Sequence, residues 1–176
     1  MEEASRRLFD FNSPEELARW QVVKGSARGG APECAFSLSA ESVATFQGTA
    51  PSGRRGVSLS VRTFPQRFGL AGYDGLRVLA RGDGASYRVT LSIEGGPAGV
   101  VYEHAFATKP RTWIAVVVPF GRCVPRPGGA TEPPKGGLAG EAIRKIGFAV
   151  AEGHTGPFRL DVDWIDAYAA LESGSV

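Results

Sequence analysis

The chain has 176 residues, 43% of them hydrophobic and 22% charged, which suits one folded domain with a real core. Twenty Lys+Arg against eighteen Asp+Glu leave a net charge of +2, a balance that argues against nucleic acid as a partner. No apolar run approaches a membrane span, the opening MEEASRR has no signal-peptide core, and the two cysteines, Cys34 and Cys123, lie far apart with no CxxC or metal spacing, so buried free thiols are expected.

Leu8-Phe9-Asp10-Phe11 reads as a short opening strand. Ser13-Pro14-Glu15-Glu16 predicts a helix start: Ser13 caps, Pro14 takes the first turn where its missing N–H costs nothing, and Glu16 closes a capping box. Leu17 and Trp20 supply its apolar face, and Val22-Val23 resume extended chain. Residues 24–32, KGSARGGAP, form a glycine-rich loop without the GxxxxGK[ST] pattern of a phosphate cradle. Short strands follow at 36–38, 43–46 and 57–61, the last two separated by a loop carrying Arg54 and Arg55.

Leu76, Val78 and Ala80 mark a further strand. Gly82-Asp83-Gly84 predicts a hairpin turn into a strand in which Tyr87, Val89, Leu91 and Ile93 alternate with Arg88, Thr90 and Ser92. Arg81-Gly82-Asp83 spells an adhesion tripeptide, set aside as coincidence in a tight turn. After Gly95-Gly96-Pro97, strands are expected over 100–106 and 113–118. Residues 122–140 are the longest irregular stretch, a length that in compact domains accompanies function or mobility. Residues 141–144 suit one helical turn. Ile146, Phe148 and Val150 then alternate on one strand, and Leu160, Val162 and Trp164 on the next, with Gly153 and Gly156-Pro157 between. About ten short strands with almost no helix predict an all-β, antiparallel sandwich.

Chemistry is sparse. The two histidines, His104 and His154, have no GxSxG elbow or other nucleophile motif near them. Asp161 and Asp163, two apart on a strand, are expected on one face, too close and parallel to flank a sugar. They line a solvent face or, with Asp10, are candidates for a calcium site. Trp20, Trp113 and Trp164 fall in apolar-periodic contexts and are expected in the core, while Phe64, Phe68 and Tyr73 flank loops and are expected to pack in the core or at its rim, a stacking platform for a sugar ring being the alternative. Arg62, Arg77, Arg81 and Arg88 lie on strands that would have to be neighbours to form a nucleic-acid groove.

Read together, FDFNSPEELARW (9–20), Gly29-Gly30, Phe46-Gln47-Gly48, Ser60-Val61-Arg62, GYDGLRVLARGDG (72–84), Tyr102, Phe106, Thr108, Trp113, Val118-Pro119-Phe120, Pro125-Arg126, Ile146-Gly147-Phe148 and GPFRLDVDWI (156–165) resemble the complex I intermediate-associated protein 30 family. The resemblance implies a galactose-binding-like jelly-roll sandwich with one short N-terminal helix, a single domain over 1–176 with its core at about 8–169. Relatives usually carry an acid and a Met before the paired glycines and a Ser after them; here the loop reads GSARGGAP. The family includes factors that assemble mitochondrial complex I, and plastid members that carry the domain beside a dehydrogenase-like one and act in photosystem biogenesis. The implied role is therefore non-enzymatic and cofactor-free: an assembly factor or accessory subunit that binds protein subunits of a respiratory or photosynthetic complex, in an organelle, peripheral to a membrane complex, with its transit peptide not visible in this numbering. The expected contacts are Arg28, Gly29, Gly30, Arg54, Arg55, Arg122 and Arg126, because arginine suits such interfaces. The rivals are a carbohydrate-binding module, an enzyme acting on a glycan or ester, and an organellar RNA-binding protein.

Overall fold

A computed structural model describes residues 4–23, 34–51, 59–93, 100–126 and 137–170. Among them run β1 (Ala4–Phe9), a one-turn helix α1 (Pro14–Leu17), β2 (Trp20–Val23), β3 (Cys34–Leu38), β4 (Ala44–Ala50), β5 (Ser60–Thr63), β6 (Gly75–Arg81) and β7 (Ser86–Ile93). Then come β8 (Val101–Ala107), β9 (Trp113–Pro119), β10 (Val124–Arg126), β11 (Ile143–Val150) and β12 (Gly156–Ala169). The first sheet has the order β3-β4-β12-β6-β9, with β1 also on β12; the second has the order β10-β8-β7-β11-β5-β2. Every pairing is antiparallel. The expected two-layered antiparallel sandwich is what the chain forms.

Alternation decides which side chains fill the gap between the sheets. From the first sheet come Phe46, Leu76, Val78, Leu160, Val162 and Ile165; from the second come Val61, Tyr87, Val89, Leu91, Ile146 and Phe148, all fully buried. Aromatic rings close one region. Trp20 stacks on Phe148 with centroids 5.9 Å apart and meets Phe9 edge-on at 5.2 Å.

β12 is the spine of the first sheet. Its N-terminal half pairs with β4 and its C-terminal half with β1, while β6 lies along its other side. The register with β6 shifts between Val162 and Trp164, a bulge at Asp163 that exchanges the faces of the strand. Inward positions therefore run Phe158, Leu160, Val162, then Ile165 and Ala167. The expected continuation of the alternation to Trp164 fails for that reason: Trp164 is turned outward, under the Arg7 guanidinium at 4.8 Å. Trp113 is also outside, 37% exposed, so of the three tryptophans expected in the core only Trp20 is there.

Other expectations change in instructive ways. Gly82-Asp83-Gly84 does not make a hairpin, because β6 and β7 belong to different sheets; the turn carries the chain from one layer to the other. It is tight enough that a Cβ on Gly82 would lie 2.2 Å from Thr108 Oγ1. Ser13 occupies the N-cap position with extended backbone but makes no side-chain capping bond. Glu16 instead accepts from the amides of Asp10 at 3.1 Å and Asn12 at 3.0 Å, on either side of Phe11, whose φ is +53°. Trp20 belongs to β2, not to the helix. The stretch expected to be irregular from Arg122 contains β10, paired to β8.

Candidate functional site

The outer face of the first sheet carries one row of side chains across four strands: Thr45, Asp161, Arg81 and Trp113 stand opposite one another in register. Asp161 is 3% exposed. Arg81 donates to its Oδ2 from Nε at 3.0 Å and from Nη2 at 2.8 Å; Arg159 donates to Oδ1 from Nε at 3.1 Å, and the Thr45 hydroxyl donates to Oδ1 at 2.8 Å. Burial alone would raise this carboxyl, but the donors from Arg81, Thr45 and Arg159 outweigh it and hold Asp161 below its ordinary value. Arg81 also lies over the Trp113 ring, 4.6 Å from its centroid.

Beside this row opens a cleft of about 450 Å³ lined by Arg81, Gly82, Asp83, Pro110, Arg111, Arg159 and Asp161. Asp83 is fully engaged. It accepts from the Ala85 amide at 3.1 Å and the Tyr87 hydroxyl at 2.9 Å through Oδ1, and from the Arg159 amide at 2.9 Å through Oδ2. Both carboxylate oxygens of the adhesion tripeptide's aspartate thus accept hydrogen bonds from within the domain. Burial, then the bond to Asp83, pushes the Tyr87 phenol far up.

Along the same face, Arg77 covers Tyr168 at 4.9 Å, Arg7 pairs with Asp166, and Val117, opposite Arg77, is 45% exposed. Arginine stacked on aromatic rings with apolar residues between is the composition of energetically dominant interface residues.

The outer face of the second sheet differs. Arg88, 8% exposed, donates to Glu103 at 3.0 and 3.1 Å and to the Val150 carbonyl at 3.0 Å. Arg126 reaches the same Glu103 at 2.8 Å and Glu152 at 3.1 Å. Farther across, Arg62 and Lys145 have no ionic partner among the described residues. No aromatic residue lies on this face among the described strands.

Of the residues expected to make contacts, Arg28, Gly29, Gly30, Arg54 and Arg55 lie outside the described residues, as does the GSARGGAP loop. Arg122 is exposed at the end of a 3-10 turn. Arg126 is on an edge strand, inside the Glu103–Glu152 network. Arg122 and burial, burial first, lower the basicity of His104, which by register shares the inward face with Tyr102 and Phe106. His154 Nε2 lies 3.1 Å from the Pro157 carbonyl. Among the described residues neither histidine is hydrogen-bonded to a hydroxyl or thiol, and no group of three His, Cys, Asp or Glu is placed to hold a metal. Asp10, Asp161 and Asp163 are not brought together: Asp10 accepts from the Asn12 amide, Asp161 is enclosed by arginines, and Asp163 sits at the bulge. The four strand arginines split as well, Arg77 and Arg81 onto one sheet and Arg62 and Arg88 onto the other, so no shared groove forms. Of the three loop-flanking aromatics expected at the core or its rim, Phe68 is buried, Tyr73 lies under Arg6 at 5.1 Å, and Phe64 is 48% exposed. The cleft residues Arg111 and Arg159 and the buried pair Arg88–Glu103 were missed. Alternation marks Arg88 as outward, but nothing local shows that it is covered.

A sequence profile of the family described as complex I intermediate-associated protein 30 matches residues 9–162. The Drosophila melanogaster protein named complex I intermediate-associated protein 30, mitochondrial, is 26% identical over 180 residues, covering 90% of this chain and 61% of that protein. The chain thus spans about three fifths of that relative's length. Among solved structures the fold is similar to the family 11 carbohydrate-binding module of the cellulosomal cellulase Lic26A-Cel5E of Clostridium thermocellum, with a TM-score of 0.73 at 16% identity over 99% of this chain and 100% of that one. The Clostridium thermocellum module in complex with a β-1,3-1,4-mixed-linked tetrasaccharide gives 0.69 at 15% identity over 98% and 99%. The agarase AgWH50C gives 0.61 at 15% identity over 94% of this chain and 25% of that one. At such identities the likeness shows the fold, a jelly-roll β-sandwich, and carries no ligand with it. No helix among the described residues is long and apolar enough to cross a membrane.

Proposed function

The chain belongs to the complex I intermediate-associated protein 30 family, and from that premise we propose that it is a non-enzymatic protein-binding domain, an assembly factor or accessory subunit of an organellar electron-transfer complex, mitochondrial complex I or a photosynthetic complex. The observation that carries the reading is the outer face of the first sheet. There Arg7, Arg77 and Arg81 lie over Trp164, Tyr168 and Trp113, and Val117 stands exposed on the edge strand opposite Arg77. A single aromatic anchor in such a setting commonly supplies about 2 kcal/mol or more of binding. Arg122 and the loops carrying Arg28, Gly29, Gly30, Arg54 and Arg55 are further contacts in this proposal.

Affinity purification from organelles in mild detergent tests it. Subunits of a respiratory or photosynthetic complex are expected to co-elute, and Trp113→Ala combined with Val117→Ser is expected to release them while the thermal transition is kept. Elution of the wild-type chain alone overturns the proposal. Single replacement of His104, His154, Asp161 and Asp163, assayed on glycans and esters, separates it from the enzyme reading. Any turnover that one of these replacements abolishes counts against a purely binding role.

A further inference from the structure

On the outer face of the second sheet, Gln21, Arg62, Gly147 and Thr90 stand side by side on β2, β5, β11 and β7. Lys145 lies two residues before Gly147 on the same face, opposite Ser92. Arg62 and Lys145 are therefore diagonal neighbours, about 7–8 Å apart along the backbone. Gly147 is bare of necessity: a Cβ there would fall 2.4 Å from the Val61 carbonyl, 2.7 Å from Thr90 Oγ1 and 2.9 Å from Arg62 Cβ. Gly147 is itself buried, so Arg62 and Thr90 close over it and are drawn together across the strand.

The two cations are half-buried and have no counter-ion among the described residues. Arg62 Nε is buried with no acceptor, and neither Arg62 nor Lys145 makes an ion pair among the described residues. Among the described strand residues of this face the acid is Glu103, already shared by Arg88 and Arg126. Burial first, and then the Arg62 charge, lower the basicity of Lys145, as expected of like charges without a counter-ion. The side-chain hydroxyls of Thr90 and Ser92 and the Gln21 amide are likewise without hydrogen-bond partners among the described residues. A planar guanidinium, a point-charge ammonium and neutral donors on adjoining strands form a donor set for an oxyanion. A neutral sugar would need a stacking ring, and the face has none among the described strands.

We propose that this part of the second sheet is an oxyanion site in which Arg62 and Lys145 bind one carboxylate or phosphate group, with Thr90 and Ser92 as hydroxyl donors. The site is separate from the aromatic face of the first sheet and does not rest on the assembly reading.

Titration of the isotope-labelled full chain with inorganic phosphate, and separately with a tetraglutamate peptide, tests it by amide chemical shifts. Saturable shifts centred on Gly147 and Thr90 are expected with at least one probe. A response to phosphate alone identifies a free oxyanion, and a response to the peptide alone identifies a carboxylate borne on a polypeptide. Arg62→Gln and Lys145→Gln, each with a dispersed spectrum, should weaken binding by about tenfold or more, and Arg67→Gln, an exposed control, should not. If one of the two site variants misfolds, the other still decides. Absence of saturable shifts with both probes, or affinities unchanged in the site variants, overturns the proposal; the second result is the signature of an adventitious ion only.

Discussion

Arg81 and Asp161 face each other across β6 and β12, and two hydrogen bonds to one carboxylate oxygen, 3.0 and 2.8 Å long, fix the pair side-on. The other oxygen is taken by Thr45 and Arg159. One buried carboxylate thus ties β4, β6 and β12 together on the solvent side, while apolar packing ties them on the other.

Asp161→Asn should lower stability by about 1–3 kcal/mol at neutral pH, at the lower end because the Arg81 and Arg159 side chains are 29% and 56% exposed and water takes over part of their hydration. The pH dependence has a definite sign. Asp161 is held below 3.8, so its contribution is present above that value and is lost as pH falls through the depressed folded value. Urea titrations between neutral and acid pH should show a shallower acid-side loss in the variant than in the wild type.

Glu103→Gln should cost about 3 kcal/mol, since it leaves Arg88, whose side chain is 10% exposed, without its main counter-charge. Replacing Arg88 by Met together with Glu103 by Leu should recover much of that loss. A double-mutant cycle on denaturant midpoints measures it, and additive losses would contradict the coupling.

Gly82→Ala should destabilise by about 1–3 kcal/mol, because Thr108 Oγ1, Cβ and Cγ2 lie 2.2 to 2.4 Å from the added atom. The backbone just after Gly82 is also held: the Thr108 hydroxyl donates to the Ala85 carbonyl at 2.6 Å and accepts from the Gly84 amide at 3.1 Å. Thr108→Ala should not rescue the variant, since the Cβ of residue 108 is itself in the way. Calorimetric midpoints of the two single variants and the double variant decide the point.

The Cys123 thiol, pushed up to about 11 by burial, should alkylate slowly. At pH 7.5 its modification by iodoacetamide, followed by peptide mass spectrometry, should run on the order of a hundredfold slower in the native protein than in urea. Equal rates would place the thiol in solvent.

The layer architecture was legible because outward and inward positions alternate in every long strand, most plainly from Tyr87 to Ile93. The pairing was less so. A glycine-rich turn such as 82–84 has the same composition whether it joins two paired strands or carries the chain between layers, and only the partners of β6 and β7 distinguish the two. A bulge shifts phase by one residue without any residue type that demands it, which is why Trp164 was assigned to the wrong side. The Arg88–Glu103–Arg126 network joins residues up to 38 positions apart in sequence. Such a pairing depends on strand order, which alternation does not encode. Arg126, expected from the sequence as a contact residue, is paired with two acids while its side chain stays 53% exposed. The row from Thr45 to Trp113 could not be read for the same reason, because it draws one residue from each of four strands.

The register of β1 against β12 places Ala4 directly across from Ala169, about 5 Å away as for any antiparallel pair. Any polypeptide fused ahead of the one and any fused behind the other would leave the sandwich side by side, as two cords from a single knot. A tether joining them would need only a few residues, so circular permutants opened at a distant turn should close this junction without disturbing either sheet.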